Sequence, residues 1–207
     1  MLSAIGHHRS IAAGESLIWE GENSLRVANV LEGVLKLTTG TRDGHEQIVG
    51  VMYPADFIGR PFGSRVSQTV TALTDARVCT FPRAEFDRFA REHPALEHRL
   101  LQTTLTELDR AREWMVMLGR KSAEARVASF ILDLSDRLAC ERTGTAERGD
   151  GGFTLPFGRQ QIADILGLTI ETVSRQLSRF RSEGWIELPA RRDVVIRDRA
   201  ALEAIAD

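Results

Sequence analysis

The sequence predicts an α+β fold with an N-terminal all-β part, one long helix and a C-terminal winged helix-turn-helix. Short apolar segments broken by glycines run from about Ile11 to Pro82, which is typical of a small barrel or sandwich. A long helix is predicted from Pro94, and an apolar heptad pattern begins in it at Leu101. From Arg159 to Arg181, two short amphipathic segments flank Gly167, and this spacing predicts two helices that meet at a tight corner.

The chain's size and composition fit a protein that works in the cytoplasm. Its 207 residues allow one large domain or two small ones, and a hydrophobic content of 43% supports a packed core. No apolar run approaches the roughly 20 residues of a membrane span, and the first ten residues lack the regions of a signal peptide. Two cysteines do not make a disulfide framework. The net charge of −2 argues only weakly against nucleic acid, because the location of the basic groups matters more.

Six strands are predicted in the N-terminal part, where segments alternate or run apolar between glycines. They are Ser16–Trp19, Val27–Leu31, Val34–Thr38, Gln47–Met52, Val70–Leu73 and Arg77–Phe81. Before them stand His7 and His8, which invite a metal or haem interpretation. A histidine pair in a frayed terminus is more often solvated, so we favour solvent exposure.

Two helices are predicted next. Arg83–Glu92 is a short helix with Phe86 and Phe89 turned inward, and a long helix runs from Pro94 to about Leu118. In heptad terms Leu101, Leu108 and Met115 are a positions, and Thr104, Ala111 and Leu118 are d positions. The helix either packs on its own domain or pairs with a second copy; in a pair, Leu100 and Trp114 would pack on the β part and link it to the seam.

We favour pairing along this seam, because an apolar repeat kept over about two to three heptads favours a coiled-coil pair. In a parallel pair, Glu107 at a g position faces Arg112 at an e position of the partner copy. Ala111 places an apolar residue at the middle of the seam, where a buried charge would oppose association. We therefore expect a homodimer even in air.

After the seam the sequence predicts a hinge at Gly119 and a helix from Ala123 to Ala139, capped by Ser122. Val127, Phe130, Ile131 and Leu134 form its inner face. A polar surface loop is expected over 141–152. The last elements are the strand Phe153–Pro156, the corner helices, the hairpin wing Trp185–Leu188 and Val194–Ile196 around Pro189–Asp193, and a helix Ala200–Ala206 capped by Asp198.

The corner has the marks of a helix-turn-helix. Gly167 suits the left-handed backbone of a helix end, and Thr169 is placed to cap the second helix. Opposite the buried face, that helix carries polar side chains at Glu171, Ser174, Arg175, Ser178 and Arg179. Arginine, glutamate and serine can all bond to base edges. The alternative is a solvated helix with an ion pair between Glu171 and Arg175.

The segment LGLTIETVSRQLSRF resembles the DNA-reading helix of the FNR branch of the CRP/FNR family of bacterial transcription regulators, where E-x-x-S-R is Glu171, Ser174 and Arg175 here. Residues Gly14–Gly21, Leu31–Leu37 and Asp56–Gly59 resemble that family's β-roll, a cyclic-nucleotide-binding-like sensor domain. The resemblance implies a β-roll over residues 1–93, a dimerisation helix over 94–118 and a winged helix-turn-helix over 119–207.

By this resemblance the chain is a homodimeric regulator of low-oxygen or redox-responsive genes that contacts RNA polymerase. It would bind double-stranded DNA at a palindrome, TTGAT and its inverted repeat after a four-base gap. Arg175 would read the guanine, Glu171 the opposite cytosine or an adjacent adenine, and Ser174 a thymine. The expected backbone contacts are Arg159, Thr169, Arg179, Arg191 and Arg192.

The resemblance also bears on cofactors. Cyclic AMP is not expected, because Gly59 is followed by Arg60 and because Gln68 and Thr69 stand where the family's phosphate-binding arginine and serine belong. Cys79 matches one ligand of the FNR-type [4Fe-4S] cluster, but the segment before Gly14 has no cysteine and Cys140 comes too late. We expect no cofactor, as in FixK-like regulators, unless an N-terminal cysteine segment is missing from this sequence. Cys79 is then a small apolar strand residue.

Two rival classes differ in what the sequence offers them. An enzyme is not expected, since no motif of a nucleophilic, metal-dependent or phosphate-binding active site is recognisable. A regulator gated by a small molecule in the β-roll stays open, because a fold alone does not determine its ligand.

Overall fold

The structure is a computed structural model that describes residues 5–40, 46–141 and 152–206, with the side chains of 139–141 left out. The chain divides into two compact units, Met1–Asp109 and Arg110–Asp207. The division falls inside the long helix, so the three expected domain boundaries stay a prediction. Among the described helices, none combines the length and the apolar composition needed to span a bilayer.

The first unit is built on two antiparallel four-stranded sheets. One has the order β1-β8-β3-β6 and the other the order β2-β7-β4-β5. The strands are β1 (His7–Ile11), β2 (Ser16–Ile18), β3 (Arg26–Glu32), β4 (Leu35–Gly40), β5 (Glu46–Met52), β6 (Phe57–Ile58), β7 (Thr69–Ala72) and β8 (Ala76–Pro82).

The core of this unit draws on both sheets. Val30 and Val78 of the first sheet pack with Leu35 and Val70 of the second in one buried cluster. Each such side chain contributes roughly 1.5–3 kcal/mol on full burial. Gly33 permits the turn between β3 and β4: its φ is +83°, and a Cβ there would stand 2.4 Å from the carbonyl oxygen of Asp75. The expected barrel-like β fold is confirmed.

Two strands of this unit lie outside the six predicted ones. β1 pairs with β8, with His7 opposite Thr80 and His8 opposite Cys79. The prediction of a frayed terminus at His7 and His8 was therefore wrong, although both side chains are exposed as expected. The sequence HHRSI shows no apolar alternation, because its four exposed residues precede a single buried one. β6 is only two residues long, too short for a periodic signal.

The two predicted helices follow. α1 spans Arg83–Glu92 and buries Phe86, whereas Phe89 is half-buried and stacks on the His93 ring with centroids 3.8 Å apart. α2 spans Pro94–Arg120, so it continues through Gly119, the expected hinge, and the chain leaves the helix at Lys121 and Ser122. The backbone N–H of Lys121 still bonds to the Met117 carbonyl over 3.2 Å, which explains the later helix end.

The second unit contains α3 (Ala123–Glu141), β9 (Gly152–Thr154), α4 (Arg159–Leu166), α5 (Ile170–Ser182), β10 (Ile186–Glu187), β11 (Asp193–Ile196) and α6 (Arg199–Ala206). Ser122 caps α3 as predicted, since its Oγ accepts the N–H of Ala125 over 3.1 Å. The predicted inner face of α3 is buried: Val127, Phe130, Ile131 and Leu134.

A three-stranded antiparallel sheet, β10-β11-β9, completes this unit. Ile186 pairs with Ile196 and Glu187 with Val195, so the predicted hairpin wing is present. Asp198 caps α6 by accepting the N–H of Ala201 over 2.9 Å. Most of the surface loop expected over 141–152, from 142 to 151, and the side chain of Cys140 lie outside the described residues.

Candidate nucleic-acid interface

The corner between α4 and α5 has the geometry of a helix-turn-helix. Gly167 ends α4 in the left-handed region with φ of 61°, and the N–H of Leu168 bonds to the Ala163 carbonyl over 2.9 Å. Ala163 is fully buried, which lets the two helices approach closely. The buried sides of the helices are those predicted: Ile162, Ala163, Leu166, Val173, Leu177 and Phe180.

The first turn of α5 is held by side-chain oxygens. Thr169 Oγ1 accepts the N–H of Thr172 over 3.2 Å, as predicted for a cap. The backbone N–H of Glu171 and the Thr169 hydroxyl lower the pKa of the Glu171 carboxyl below its usual range. Glu171 is therefore an ionised acceptor at neutral pH, placed at the exposed start of α5.

The outer face of α5 presents the guanidinium of Arg175 to solvent. Arg175 is exposed, and no ion pair joins it to Glu171 among the described residues. The alternative interpretation, which pairs Glu171 with Arg175 on a solvated helix, therefore lacks its ion pair in the described structure. Ser178 is exposed as well, whereas Ser174 is half-buried and offers its hydroxyl from closer to the helix packing surface.

Arg179 has a partner that the sequence did not reveal. Its Nη1 donates to Glu124 Oε2 of α3 over 2.8 Å, and its side chain is still 51% exposed. The ion pair thus ties α5 to the first turn of α3, and it leaves part of the guanidinium exposed to solvent. A separation of 55 residues hides such a pair from any local sequence pattern.

Two arginines converge beside the N-terminus of α4. Arg159 is half-buried, and its Nη1 is buried without a hydrogen-bond partner in the part of the chain that the structure describes. Burial lowers the pKa of the Arg159 guanidinium, and the positive charge of Arg191 lowers it further. Arginine nevertheless stays protonated at neutral pH. This arrangement of Arg159, the exposed wing residues Arg191 and Arg192 and a helix N-terminus favours an anion.

Exposed apolar side chains follow α2 at the predicted seam positions. Leu101 is 56% exposed, Leu108 44% and Met115 66%, and Thr104, Ala111, Glu107 and Arg112 are exposed too, whereas Leu118 is half-buried. Leu105 and Val116 are also exposed; the strict a and d template missed them because they lie beside it. We call these ten residues the seam strip, from Leu101 to Leu118 on α2.

Comparison with known proteins shows which protein family shares these domains. The Crp-like helix-turn-helix domain matches residues 125–205, and the cyclic nucleotide-binding domain matches residues 8–93. The transcriptional activator protein FnrL of Cereibacter sphaeroides is 42% identical over 97% of this chain and 81% of its own length. The nitrogen fixation regulation protein FixK of Bradyrhizobium diazoefficiens is 38% identical over 98% of this chain and 83% of its own length.

The chain belongs to the CRP/FNR family of DNA-binding transcription regulators. The solved structure of FixK2 from Bradyrhizobium japonicum superposes with a TM-score of 0.87 at 30% identity, covering 98% of both chains. The predicted resemblance to the FNR and FixK branch is confirmed. Within this CRP/FNR regulator, α4 and α5 form the helix-turn-helix of the matched domain.

In the β-roll of this CRP/FNR protein, Arg60, Gln68 and Thr69 stand where the family's cyclic-nucleotide-binding residues are expected. Arg60 is exposed and its Nη1 lies 3.4 Å from Ser67 Oγ. Gln68 is half-buried, and the Thr69 hydroxyl accepts the N–H of Glu20 over 3.0 Å. An amide and a hydroxyl supply no positive charge for a phosphate. The expectation that cyclic AMP does not bind stays a prediction.

Cys79 of the CRP/FNR chain lies on β8 and is half-buried. It packs against the apolar cluster of Val27, Phe81 and Phe86, which is the environment expected of an apolar strand residue. A [4Fe-4S] cluster needs four ligands, usually thiolates, and this sequence has two cysteines. The cysteines of this sequence do not fit such a cluster.

Proposed function

We propose that two copies of this chain bind a palindromic FNR-type DNA site and activate genes that respond to low oxygen. The observation that carries the proposal is the exposed Arg175 on the outer face of α5, without an ion pair to Glu171 in the described structure. Two reading helices joined through α2 would enter successive major grooves, about 34 Å apart. The curated relatives FnrL and FixK, a transcriptional activator and a nitrogen fixation regulator by name, support this function, and activation implies contact with RNA polymerase.

Base reading is assigned to three side chains of α5. Arg175 donates two hydrogen bonds to the O6 and N7 of a guanine, the commonest specific contact in the major groove. Glu171, ionised and one turn earlier, accepts from the cytosine of the opposite strand or from an adjacent adenine. Ser174 contacts a thymine from its half-buried position.

Backbone binding is assigned to residues around the reading helix: Arg159, Thr169, Arg179, Arg191 and Arg192. The buried unpaired nitrogen of Arg159 and the repulsion by Arg191 would both be relieved by a phosphate. Such contacts position the protein without reading sequence. Arg179 reaches a phosphate while Glu124 orients its guanidinium.

The dimer forms along the seam strip. A parallel pair buries the leucines and the methionine of the strip. Burial of apolar surface stabilises the pair by about 25 cal/mol for each Å² removed from water. Glu107 of one copy then meets Arg112 of the other at the rim of the seam. This pair sets register and orientation more than affinity.

The test is fluorescence anisotropy in air with a labelled FNR-type palindrome and a control duplex in which the guanine of each half-site is changed. We expect tight, salt-sensitive binding to the palindrome that is lost on the control duplex. Equal affinity for both duplexes would contradict specific reading.

A second candidate is gating by a small molecule in the first unit. A cavity of about 390 Å³ lies beside Gly59 and is lined by Phe57, Phe62 and Leu100 together with the carboxylates Glu97 and Glu107. Its described lining contains no arginine or lysine, so it suits a neutral or cationic, largely apolar ligand. DNA affinity that rises on addition of a small-molecule extract of anaerobic cells, but not with cyclic AMP, would support gating.

A further inference from the structure

One side chain of α3 joins two helix ends in the second unit. The guanidinium of Arg126 donates from Nη2 to the Leu118 carbonyl over 2.6 Å and from Nη1 to the Leu166 carbonyl over 3.1 Å. Its Nε donates to the Lys121 carbonyl over 3.1 Å. Arg126 is half-buried, so water competes only partly for these bonds.

Two of the three acceptors are backbone carbonyls at the C-terminal ends of helices. Leu118 lies in the last turn of α2 and Leu166 is the last residue of α4, where backbone carbonyls have no N–H partner within the helix. The C-terminal end of a helix also carries partial negative charge, which favours a cation. The rigid fork of arginine has five N–H donors and can serve several acceptors at once, which a lysine ammonium on a flexible stem does less well.

Leu166 lies at the corner of the helix-turn-helix. It directly precedes Gly167, the turn between α4 and the reading helix, while Leu118 belongs to the seam strip. By comparison, Lys121 Nζ bonds to Ser129 Oγ over 3.1 Å and to the Ala206 carbonyl, and these partners lie on α3 and α6. Arg126 therefore links the end of the dimer helix directly to the helix-turn-helix corner.

We propose that Arg126 is a positioning residue that sets the separation of the two reading helices in the dimer. By fixing each corner to the end of its α2, it aligns both reading helices with half-sites at one spacing. This inference rests on the proposed function, namely binding of a dimer to a palindrome.

Loss of the Arg126 bonds should weaken simultaneous binding to two half-sites more than binding to one. Binding to the second half-site is intramolecular once the first is occupied, and its gain depends on whether the geometry allows both contacts. Loss of the Arg126 bonds widens the range of corner orientations and reduces that gain. Binding to a single half-site needs only one intact corner, so it is expected to change little.

The experiment compares the wild-type protein with Arg126→Met, Arg126→Lys and Arg137→Met. Arg137 lies on the same helix and its Nε bonds to Asp133, one turn earlier, over 2.9 Å, so it serves as the matched control. Anisotropy is measured on the palindrome, on palindromes with a shorter or longer gap, and on an isolated half-site. Thermal unfolding and sedimentation confirm that each variant is folded and dimeric.

For Arg126→Met we expect a loss of roughly 10- to 100-fold on the native palindrome, which is part of the roughly 100- to 10,000-fold gain that avidity can supply, and a flattened dependence on the gap. Affinity for the half-site should stay within about threefold, since a single half-site draws on no avidity and the bond from the Leu168 N–H to the Ala163 carbonyl still closes the α4–α5 corner. Arg126→Lys keeps the charge without the fork and should fall between the wild-type protein and Arg126→Met. Arg137→Met should behave as the wild-type protein does.

Other outcomes overturn the inference. Equal losses on half-site and palindrome would mean that Arg126 acts on the corner itself or on DNA directly, and an unchanged gap dependence would mean that it does not set spacing. If Arg126→Met fails to fold, Arg126→Lys decides: a gap dependence identical to the wild type refutes the inference. A wild-type protein that binds the palindrome no better than a half-site contradicts the proposed function as well.

Discussion

At the scale of single residues, the reading face of α5 shows what local sequence can and cannot specify. Glu171 and Arg175 are exposed as the helical spacing predicts, because they lie opposite the buried Val173 and Leu177. The partner of Arg179 was not predictable, since Glu124 lies 55 residues away. The unpaired Nη1 of Arg159 likewise depends on burial by neighbours that no sequence pattern identifies.

Replacement of Arg175 by alanine should remove discrimination at one base pair of each half-site. The expected loss is roughly 1–3 kcal/mol between guanine and a changed base, the usual worth of a bidentate contact. Arg179→Ala is the matched control on the same face, and it should weaken binding to all sequences alike and reduce the salt slope. Anisotropy on matched duplexes over a salt series measures both quantities. Equal losses on specific and random DNA for Arg175→Ala would refute its reading role.

At the scale of elements, the sequence predicts the helix-turn-helix closely because its signals are local. Gly167 and Thr169 mark the end of one helix and the start of the next through backbone conformation and capping. The same reasoning failed at Gly119, where it predicted a hinge. This glycine lies inside α2, and a Cβ there would meet no neighbouring atom within 4 Å. β1 and β6 were missed because their pairing with β8 and β3 comes from tertiary structure.

The two glycines should respond to alanine in opposite directions. Gly167→Ala places a Cβ at φ of 61°, and a left-handed backbone costs an L-residue about 1–2 kcal/mol. The nearest atom to that Cβ is Arg126 Nη1 at 3.7 Å, so the cost is conformational and not a clash. Gly119→Ala should stabilise the helix by about 0.5–1 kcal/mol. Chemical denaturation of both variants tests this, and equal shifts of the two would contradict it.

The seam strip offers a second element-scale test. Leu108→Glu would bring two carboxylates together at the middle of the pair, and like charges in an apolar seam oppose association. We expect a monomer by sedimentation and a loss of palindrome binding, with the fold retained by circular dichroism. Gln102→Glu adds the same charge at an exposed position of α2 outside the strip, and it should remain a dimer. A dimeric Leu108→Glu protein would place the interface elsewhere.

At the scale of the whole molecule, net charge is a poor guide to the partner. The chain carries −2 overall, yet the reading helix holds Arg175, Arg179 and Arg181 against Glu171, and Arg191 and Arg192 stand on the wing. What decides binding to a polyanion is this local concentration of guanidinium groups. The sequence shows the cluster only after the helix and the wing have been placed on one domain.

The oligomeric state is also a property of the whole molecule. Because exposed apolar side chains line α2 and no charged residue occupies an a or d position between Leu101 and Leu118, we expect the wild-type protein to be a dimer in air, without any added ligand. Sedimentation at micromolar concentration tests this. A monomer under those conditions would mean that association needs a signal.

The outermost strand of the first sheet has a practical consequence. β1 stands at the end of the order β1-β8-β3-β6, and its exposed histidines and arginine discourage another chain from adding to it. A shortened protein that starts after Ile11 would leave the edge of β8 uncovered, with its N–H and C=O groups ready to pair with another copy. Truncation at this site therefore favours aggregation through strand addition, even though β1 itself contributes one buried side chain, Ile11.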